Sequence, residues 1–508
     1  PIGIQDFEEL RTNDYLYVDK TQHIERLLRG KYYFLSRPRR FGKSLLLSTL
    51  RELFLGKKEL FKGLWIEDKI DWQPYPVIHL SFGKSDFKEI GVVQAITSRL
   101  EDVAQQYRVQ LRGSDMANQF ESLIEALAQE GQVVILIDEY DKPIIEYLGK
   151  EEIPQALKNR DLLKSFYSVL KDLDRQIRLL FITGVSKFSK VSIFSDLNNL
   201  ADISMHPAYA TLAGYTQAEL EHYFVDYFSE IVRKQKVARE ALLRDVQAWY
   251  DGYDFVGESP EKLYNPFSVL NYMDSGKLSN YWFSTGTPTF LTKQLKAQQI
   301  YDIKNVIADE SSLGKSEIEN LDIITLLFQT GYLTLQEKIE HDVFTLGYPN
   351  QEVRNSMFRF LLAEYAYDNT RESSAVVVKL KMAFGQNDLE AVFQCLNALL
   401  AKIPYDIFED HLESYYQSVI FLTFSLLGYY TQAEVHTSKG RIDAVVETAD
   451  HIFILEFKVN DTAAKALAQI KDRQYYQKYL DQGKPIYLIG VACHQKALNE
   501  YLVEELAA

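Results

Sequence analysis

The sequence predicts an α/β protein built of three consecutive parts, and three observations support this. Short apolar runs alternate with helical patterns through residues 1–212, residues 213–405 look mainly helical, and residues 406–508 combine strands with helices. Buried parallel strands have near-continuous apolar sequences, and their alternation with helices is typical of sheets with right-handed crossovers. We therefore predict an N-terminal parallel sheet, a mainly helical middle domain and a C-terminal domain of mixed α/β structure.

The elements of the first part follow from its apolar runs. Leucine, aromatic and β-branched residues dominate four runs that suit buried strands, namely 32–35, 77–81, 133–137 and 179–182. Between these runs the apolar residues recur at helical spacing, as in residues 44–54 and 162–173. Each strand is thus expected to be followed by a helix.

Caps and breaks define the elements of the middle and C-terminal parts. Thr216 opens a capping box at the start of an amphipathic helix, while polar stretches at 251–260 and 284–288 interrupt the helical pattern. Further along, Gly428 predicts the end of a helix over 411–427. The remaining predicted elements are strands at 441–446, 452–457 and 485–491 and a helix at 463–480.

Composition and charge exclude several classes of protein. The 508 residues are 46% hydrophobic and 25% charged, which is ordinary for globular proteins. With 56 basic and 71 acidic residues the net charge is −15, so the chain is not a basic protein that coats nucleic acid. Its two cysteines, Cys395 and Cys493, are too few for a disulfide framework or a cysteine zinc site. The apolar stretch 419–430 is shorter than the ~20 residues of a spanning helix, so we expect a cytoplasmic protein without membrane contact.

A phosphate-binding loop is predicted at residues 36–44, which read Ser-Arg-Pro-Arg-Arg-Phe-Gly-Lys-Ser between a strand and a helix. At such a junction backbone N–H groups bind phosphates, Lys43 reaches the β- and γ-phosphates of a nucleotide, and Ser44 holds Mg²⁺. Arg37 stands where the regular motif has its first glycine, so a helix start with a solvated lysine is the alternative. We predict nucleotide contacts from Arg39, Arg40, Phe41, Gly42, Lys43 and Ser44.

A second strand end supplies acidic groups that nucleotide hydrolysis needs. The run 133–137 leads directly into Asp138 and Glu139. An aspartate at this place holds Mg²⁺, and a following glutamate activates the attacking water as a general base. An acid after a strand is also common in ordinary turns, but its occurrence together with Gly-Lys-Ser favours the functional interpretation.

The next strand end contributes hydroxyl groups. Thr183 is a predicted sensor of the γ-phosphate and Ser186 is an alternative, although both residues also suit loop capping. Arg175 and Arg178 precede this strand and are candidate arginine fingers, with plain solvation as the alternative.

The C-terminal part carries a second set of chemistry-bearing residues. Asp443 lies on one predicted strand, and Glu456 and Lys458 lie on the next as Glu-Phe-Lys. Since residues i and i+2 of a strand share a face, Glu456 and Lys458 project together. Two carboxylates that hold a metal beside a lysine suit hydrolysis of a phosphodiester. We predict Asp443 and Glu456 as ligands of Mg²⁺ and Lys458 as the group that orients the water.

Neighbouring helices add candidates to this second set. Glu413 would complete the acids, and Gln469 and Tyr475 are candidates for positioning the water or the phosphate. The alternative is a solvated Glu–Lys pair at a sheet edge. The apolar flank 452–455 disfavours that alternative, because unpaired charges on a core strand are costly.

Long motifs occur in order along the chain and carry a family resemblance. They are residues 17–21, 37–44, 136–143, 181–190, 193–200, 264–268 and 281–288, followed by 440–443 and 456–458. Together they resemble the bacterial AAA-ATPase-like family, whose members commonly end in a PD-(D/E)xK nuclease domain. The resemblance covers nearly the whole chain. The Pro-Asp of the nuclease name reads Ile442-Asp443 here, so the acid alone is retained.

The resemblance implies a P-loop NTPase sheet over residues 1–212, a helical lid with a winged-helix element over 213–405, and a restriction-endonuclease-like fold over 406–508. It implies ATP and Mg²⁺ as cofactors, with Mn²⁺ as an alternative at the nuclease site, and nucleic acid, DNA ahead of RNA, as a partner. It also implies that Arg37 belongs to the family's own loop variant. A homo-oligomer and a role in mobile-element biology or defence are further expectations.

Two hypotheses follow for the function. In the first, an ATP-hydrolysing domain controls a Mg²⁺-dependent nuclease. In the second, ATP binding drives assembly of a switch protein whose nuclease fold mainly binds nucleic acid. Retention of Asp443, Glu456 and Lys458 together favours the first, because a module that only binds has no need of all three.

Overall fold

The computed structural model describes two compact units, residues Pro1–Gly286 with Ile303–Val353 and residues Thr287–Asp302 with Arg354–Ala508. The described residues are all except 1, 84, 150, 188–192, 196, 260, 286–288, 301–302, 304–305, 315–316, 320, 367–369, 403–407, 431, 439–440, 495–496 and 507–508. The three-part division with boundaries after residues 212 and 405 stays a prediction.

A five-stranded parallel sheet lies at the centre of the first unit and confirms the predicted α/β class. Its order is β2-β3-β4-β1-β5, with β1 Tyr32–Ser36, β2 Val77–Ser81, β3 Val133–Asp138, β4 Ile177–Gly184 and β5 Ala201–Asp202. β3 is buried along its whole length, as its continuous apolar sequence requires. Ligands of open α/β sheets bind outside the carboxyl ends of the strands, and the predicted site residues lie at or just after the carboxyl ends of β1, β3 and β4.

The first unit also contains α-helices and 3₁₀ turns. The α-helices are Phe7–Thr12, Thr21–Leu27, Lys43–Phe54, Phe87–Tyr107, Met116–Leu127, Lys142–Ile145, Ile153–Ser168, Gln217–Tyr223, Val225–Gln235, Arg239–Tyr250, Pro266–Ser275, Glu310–Leu313 and Ile323–Thr330, and Gln351–Tyr365 starts in this unit. Shorter 3₁₀ turns are Lys58–Phe61, Val169–Lys171, Asp174–Gln176, Pro207–Tyr209 and Trp282–Thr285. The capping box expected at Thr216 is present, since its hydroxyl accepts from Glu219 N–H and the Glu219 carboxylate accepts from Thr216 N–H.

The helix Lys43–Phe54 is anchored firmly on the sheet. Leu47, Leu50 and Phe54 of this helix belong to one buried apolar cluster with Leu136 of β3 and Phe181 of β4. The start of the helix, which carries the predicted phosphate-binding residues, is therefore held against the strands that carry the predicted acids.

A small antiparallel sheet follows in the first unit. Its strands are β6 Val306–Asp309, β7 Thr334–Lys338 and β8 Val343–Gly347, in the order β6-β8-β7. Two helices, Glu310–Leu313 and Ile323–Thr330, lie between β6 and β7 in the chain, and the winged-helix element stays a prediction. The second of these, Ile323–Thr330, buries six of its eight residues, so it packs in the interior and presents no exposed reading face.

A five-stranded mixed sheet organises the second unit, as predicted for the C-terminal part. The order is β13-β12-β11-β10-β9, with β9 Gln432–Ser438, β10 Arg441–Glu447, β11 Ile452–Val459, β12 Ile486–His494 and β13 Ala497–Leu506. β11 and β12 run parallel, and the other pairs are antiparallel. The α-helices are Thr289–Ala297, Thr370–Gly385, Leu389–Leu400, Phe408–Tyr430 and Ala463–Asp472, and Gln477–Gln482 is a 3₁₀ helix.

Two helix ends in the second unit differ from the prediction. Gly428 does not end its helix, which continues to Tyr430 and leads into β9, because glycine also accepts right-handed helical angles. The helix predicted over 463–480 stops at Asp472, since Gln474 takes a positive φ of 54° and turns the chain before the 3₁₀ segment. β9 and β13 were not predicted.

None of the helices in the described residues combines the length and the apolar character needed to cross a bilayer. This finding includes the helix Phe408–Tyr430, which contains the apolar stretch 419–430.

Candidate active sites

The predicted phosphate-binding loop lies between β1 and the helix Lys43–Phe54. Gly42 stands at the helix start with a φ of 89°, a conformation that favours glycine. The Lys43 ammonium is buried and donates to the carbonyl oxygens of Arg37 and Pro38, at 2.8 and 2.9 Å. Burial lowers the pKa of Lys43, and the nearby carboxylate of Asp138 opposes that shift. The lysine is thus held inside the loop, close to acidic groups.

Arg37 has a structural role in this loop. Its side chain is 1% exposed, Nη1 donates to the carbonyl oxygens of Ser36 and Ser204, and the guanidinium lies 4.4 Å from the centre of the Phe255 ring. Burial lowers the pKa of Arg37 to about 10, against the opposing charge of Asp202. A side chain therefore fixes the loop at the position where the regular motif has a glycine.

Aromatic residues hold the rest of the loop. The Phe41 ring packs edge-to-face with Tyr253 and Phe255, at centroid distances of 4.8 and 5.5 Å. Trp282 donates its indole N–H to the carbonyl oxygen of Arg39 at 3.2 Å. Arg40 takes a positive φ of 68°, and its guanidinium lies 5.0 Å from the centre of the Phe267 ring.

Asp138 and Thr183 meet at the ends of neighbouring parallel strands. The Thr183 hydroxyl donates to Oδ1 of Asp138 at 2.7 Å, and both side chains are buried. The strand pairing of β3 with β4 brings these residues together. Thr183 thereby holds the aspartate that was predicted to bind metal.

Glu139 follows Asp138 in a left-handed conformation, with a φ of 56°. A Cβ added at Gly83 would come within 2.7 Å of Oε2, so the glycine leaves room for this carboxylate. Burial raises the pKa of Glu139, Asp138 adds to the rise, and the charges of Lys43 and Arg39 oppose it. A raised pKa suits a carboxylate that takes a proton from water.

Asp141 is a buried acid that was not predicted as a site residue. Its Oδ2 accepts from the N–H groups of Val185 and Ser186 at 2.9 and 2.7 Å and from the Ser186 hydroxyl at 2.7 Å. Burial raises the pKa of Asp141, and the hydrogen bonds from Ser186 oppose that rise. Ser186, the alternative γ-phosphate sensor, is therefore bound to Asp141. The repeated acid in Asp-Glu-Tyr-Asp was the signal for this residue.

One cavity of about 730 Å³ is lined by Lys43, Asp138, Glu139 and Asp141, but not by Arg37, Thr183 or Ser186. The lining combines polar and charged residues with apolar and aromatic ones, namely Arg39, Arg40, Phe41, Gly42, Lys43, Ser44, Asp138 and Glu139 together with Tyr17, Val18, Phe224, Tyr227, Phe267 and Met273. Such a mixture of charged and apolar groups fits a nucleoside triphosphate. Arg175 and Arg178, the arginine-finger candidates, do not line this cavity. The Arg178 guanidinium lies over the rings of Phe54 and Tyr75.

The second candidate site lies on β10 and β11. Their antiparallel register places Asp443 directly opposite Glu456 and Arg441 opposite Lys458. Directly opposite residues of an antiparallel pair have their side chains on the same face. The side chains of Asp443 and Glu413 lie outside the described part of the structure. Among the side chains it does describe, there is no cluster of three metal-ligating residues.

Glu456, Gln469 and Lys458 form a hydrogen-bonded chain. The Gln469 amide donates to Oε1 of Glu456 at 2.6 Å, and the Lys458 ammonium donates to the Gln469 amide oxygen at 2.6 Å. The lysine nitrogen lies 4.0 Å from Oε1 of the glutamate, which is fully buried. The predicted pair thus shares one face, and the predicted helical glutamine lies between its two members. Tyr475 packs against a neighbouring apolar cluster.

Gly490 allows the helix Ala463–Asp472, which carries Gln469, to pack closely on the sheet. It lies beside Glu456 in the parallel pairing of β11 with β12. A Cβ there would lie 2.3 Å from the Ala463 carbonyl oxygen and 2.4 Å from Leu467 N. A larger residue would push the helix away, and Gln469 with it. Gly490 was not predicted as a site residue, because its contact joins segments far apart in the chain.

The fold and the two sites define a chain with a P-loop ATPase-like module and a nuclease-type module. Residues 1–194 match the family described as "Predicted AAA-ATPase", and residues 411–501 match the PD-(D/E)XK nuclease superfamily. The chain is 38% identical to a protein of Azotobacter chroococcum mcd 1 described as "Uncharacterized protein in vnfD 5'region", over all of this chain and 99% of that protein. The chain belongs to this AAA-ATPase-like family with a C-terminal PD-(D/E)XK domain. No solved structure matches it.

Proposed function

We propose that this protein hydrolyses ATP at the first site and thereby controls metal-dependent cleavage of nucleic acid, with DNA as the substrate, at the second. The observation that carries the proposal is the chain of hydrogen bonds from Glu456 through Gln469 to Lys458. Holding a buried carboxylate beside a lysine is costly unless both are bonded, and a module that only bound nucleic acid would gain nothing from it.

At the first site the proposed reaction consumes one water for each ATP. The water oxygen forms a bond to the γ-phosphorus while the bond from that phosphorus to the β–γ bridging oxygen breaks, releasing ADP and phosphate. Glu139 takes the proton of the water, for which its burial and raised pKa suit it. Lys43 binds the phosphate oxygens, and Thr183 keeps Asp138 in place.

At the second site one water is consumed for each bond cut. Its oxygen attacks the phosphodiester phosphorus, and one ester bond breaks to leave a phosphate monoester and a hydroxyl end. The water loses a proton to solvent as the leaving oxygen gains one. Lys458 orients the water and stabilises the developing negative charge, and Gln469 holds Lys458 against Glu456.

Residues at both sites fit a divalent metal such as Mg²⁺, with Mn²⁺ as an alternative at the second. Ser44 and Asp138 would hold it at the first site, and Asp443 and Glu456 would hold it at the second. Oxygen donors are the ligands these ions prefer. When bound, the metal would lower the pKa of its water and offset phosphate charge.

The test uses the full chain with single-stranded, duplex and branched DNA, and RNA for comparison, in Mg²⁺ or Mn²⁺ with and without ATP. Lys43→Ala is expected to lose ATP turnover, and Lys458→Ala is expected to lose cleavage while it still hydrolyses ATP. Because Lys458→Ala is expected to keep ATP turnover, that turnover serves as the folding control for this variant.

Three outcomes would contradict the proposal or part of it. Cleavage that survives Lys458→Ala would contradict the assignment of the second site. Cleavage at the same rate with and without ATP would contradict the proposed control of cleavage by ATP hydrolysis. ATP-dependent assembly without any cleavage would favour the switch hypothesis.

A cytoplasmic setting and a role in mobile-element biology or defence are further parts of this proposal, and they rest on the family resemblance.

A further inference from the structure

The loop contains three arginines, and aromatic rings hold two of them. Arg37 is buried beneath Phe255, and Arg40 lies over Phe267. Arg39 differs, because its side chain is exposed in the wall of the cavity, beside Lys43 and Glu139. Within the described residues, no side chain forms a hydrogen bond or an ion pair with the Arg39 guanidinium.

The backbone of Arg39 is nevertheless fixed. Trp282 donates its indole N–H to the Arg39 carbonyl oxygen, and the Trp282 ring packs on Tyr332 at a centroid distance of 5.1 Å. The backbone N–H of Trp282 in turn donates to the buried carboxylate of Glu352 at 2.7 Å. An exposed cationic side chain therefore extends from a backbone position that is held in place, which is the arrangement that charge stabilisation at a set place requires.

The charge of Arg39 reaches the groups that act on the terminal phosphate. Burial raises the pKa of Glu139 and lowers that of Lys43, and the positive charge of Arg39 opposes the first shift and adds to the second. The guanidinium is thus near both the carboxylate proposed to activate water and the ammonium proposed to bind phosphates.

We propose that Arg39 contacts the γ-phosphate of ATP from within its own loop and stabilises the charge that develops there during hydrolysis. P-loop enzymes obtain such an arginine either from their own chain or from a partner, and a guanidinium donates to two phosphate oxygens at once. The proposal rests on the proposed ATP hydrolysis. It makes each chain self-sufficient in the arginine that hydrolysis needs.

The first test compares Arg39→Gln with the wild-type chain in ATP turnover and ATP binding. We expect kcat to fall on the order of 10³-fold, with the Kd for ATP changed only slightly, because the contact is made mainly in the transition state. Arg29→Gln removes an exposed arginine outside the loop and is expected to keep wild-type turnover. Wild-type turnover in Arg39→Gln, or a loss confined to ATP binding, would overturn the proposal.

A mixing experiment decides whether the arginine comes from the same chain. Arg39→Gln chains keep the phosphate-binding lysine, and Lys43→Ala chains keep the arginine. If Arg39 serves its own site, the mixture hydrolyses no more ATP than the sum of the two variants. Recovery of turnover on mixing would overturn the proposal and show that a neighbour supplies the group. A wild-type chain without ATP turnover would instead overturn the proposed function, and this inference with it.

Discussion

Thr183 on β4 donates its hydroxyl hydrogen to Oδ1 of Asp138 on β3, across 2.7 Å in the buried interior of the sheet. The other carboxylate oxygen of Asp138 takes no part in this bond and would hold the metal in the proposed mechanism. A partner of this kind orients a ligand without touching the substrate. Thr183 is therefore a positioning residue for Asp138 in the proposed mechanism.

Replacing Thr183 by valine removes the hydroxyl and keeps the shape of the side chain. We expect ATP turnover to fall about 10–100-fold while ATP still binds, because Asp138 loses the group that orients it. Steady-state turnover and equilibrium binding measure the two effects separately. Thr183→Ser keeps the hydroxyl and should retain most of the turnover. A valine variant as active as the wild type would show that the bond has no role in hydrolysis.

Replacing Gln469 by leucine takes a partner from two groups at once. Glu456 loses a hydrogen-bond donor and Lys458 loses an acceptor, both at 2.6 Å. We expect metal-dependent cleavage to fall about 10–100-fold with ATP turnover unchanged. Gln477→Leu, on an exposed neighbouring residue, is the matched control. Equal cleavage by the two variants would contradict the role assigned to Gln469.

Adding a methyl group at Gly490 should disturb the packing of the helix Ala463–Asp472 on the sheet. The new Cβ would lie 2.3 Å from the Ala463 carbonyl oxygen, so we expect Gly490→Ala to lower the free energy of unfolding of the second unit by about 1–3 kcal/mol and to reduce cleavage. Thermal unfolding and a cleavage assay measure the two effects. At Gly385 the same change meets open space, and we expect little effect there. Equal free energies of unfolding for Gly490→Ala and Gly385→Ala would show that the close contact at Gly490 does not limit the size of the residue there.

Glu352 should make the stability of the first unit depend on pH. Burial raises its pKa from 4.5 to about 7, against the hydrogen bonds from Trp282 N–H and the Ser268 hydroxyl. The folded state therefore binds the proton more tightly. Protonated Glu352 therefore contributes to the free energy of unfolding. This contribution is fully present below about pH 4.5 and is lost as the pH rises through 7, and its full size is about 3 kcal/mol.

The glutamine variant tests this pH dependence. Glutamine carries both a donor and an acceptor, as the protonated acid does, and it does not titrate. We expect Glu352→Gln and the wild type to unfold at similar urea concentrations near pH 5, and the variant to be the more stable near pH 8.5. A difference that does not change with pH would rule out titration of Glu352 as its cause.

The sequence predicted those features that depend on local patterns. The continuous apolar run before Asp138 indicated a buried strand, and β3 is buried along its whole length. The two-residue period of a strand placed Glu456 and Lys458 on one face. These inferences need only the chain within a few residues of each group, and the structure agrees with them.

Features that depend on contacts between distant segments were not predictable in this way. The role of Arg37 depends on the Phe255 ring, and that of Gly490 depends on the backbone of a helix that precedes its strand. The role expected for Gln469, positioning water or phosphate, stays a prediction, and the bonds of its amide to Glu456 and Lys458 were not foreseen. Nothing in the local sequence states which partner such a side chain will meet.

The side chains that hold the loop also affect how such loops can be recognised and reused. A glycine-rich phosphate loop is a portable motif, because its shape comes from its own backbone. Here Arg37 and Phe41 of the loop pack against Tyr253 and Phe255, so the conformation of the loop depends on two segments that are far apart in the sequence. A search for the glycine pattern alone would pass over this loop. Grafting residues 36–44 into another protein would transfer their chemistry without their conformation.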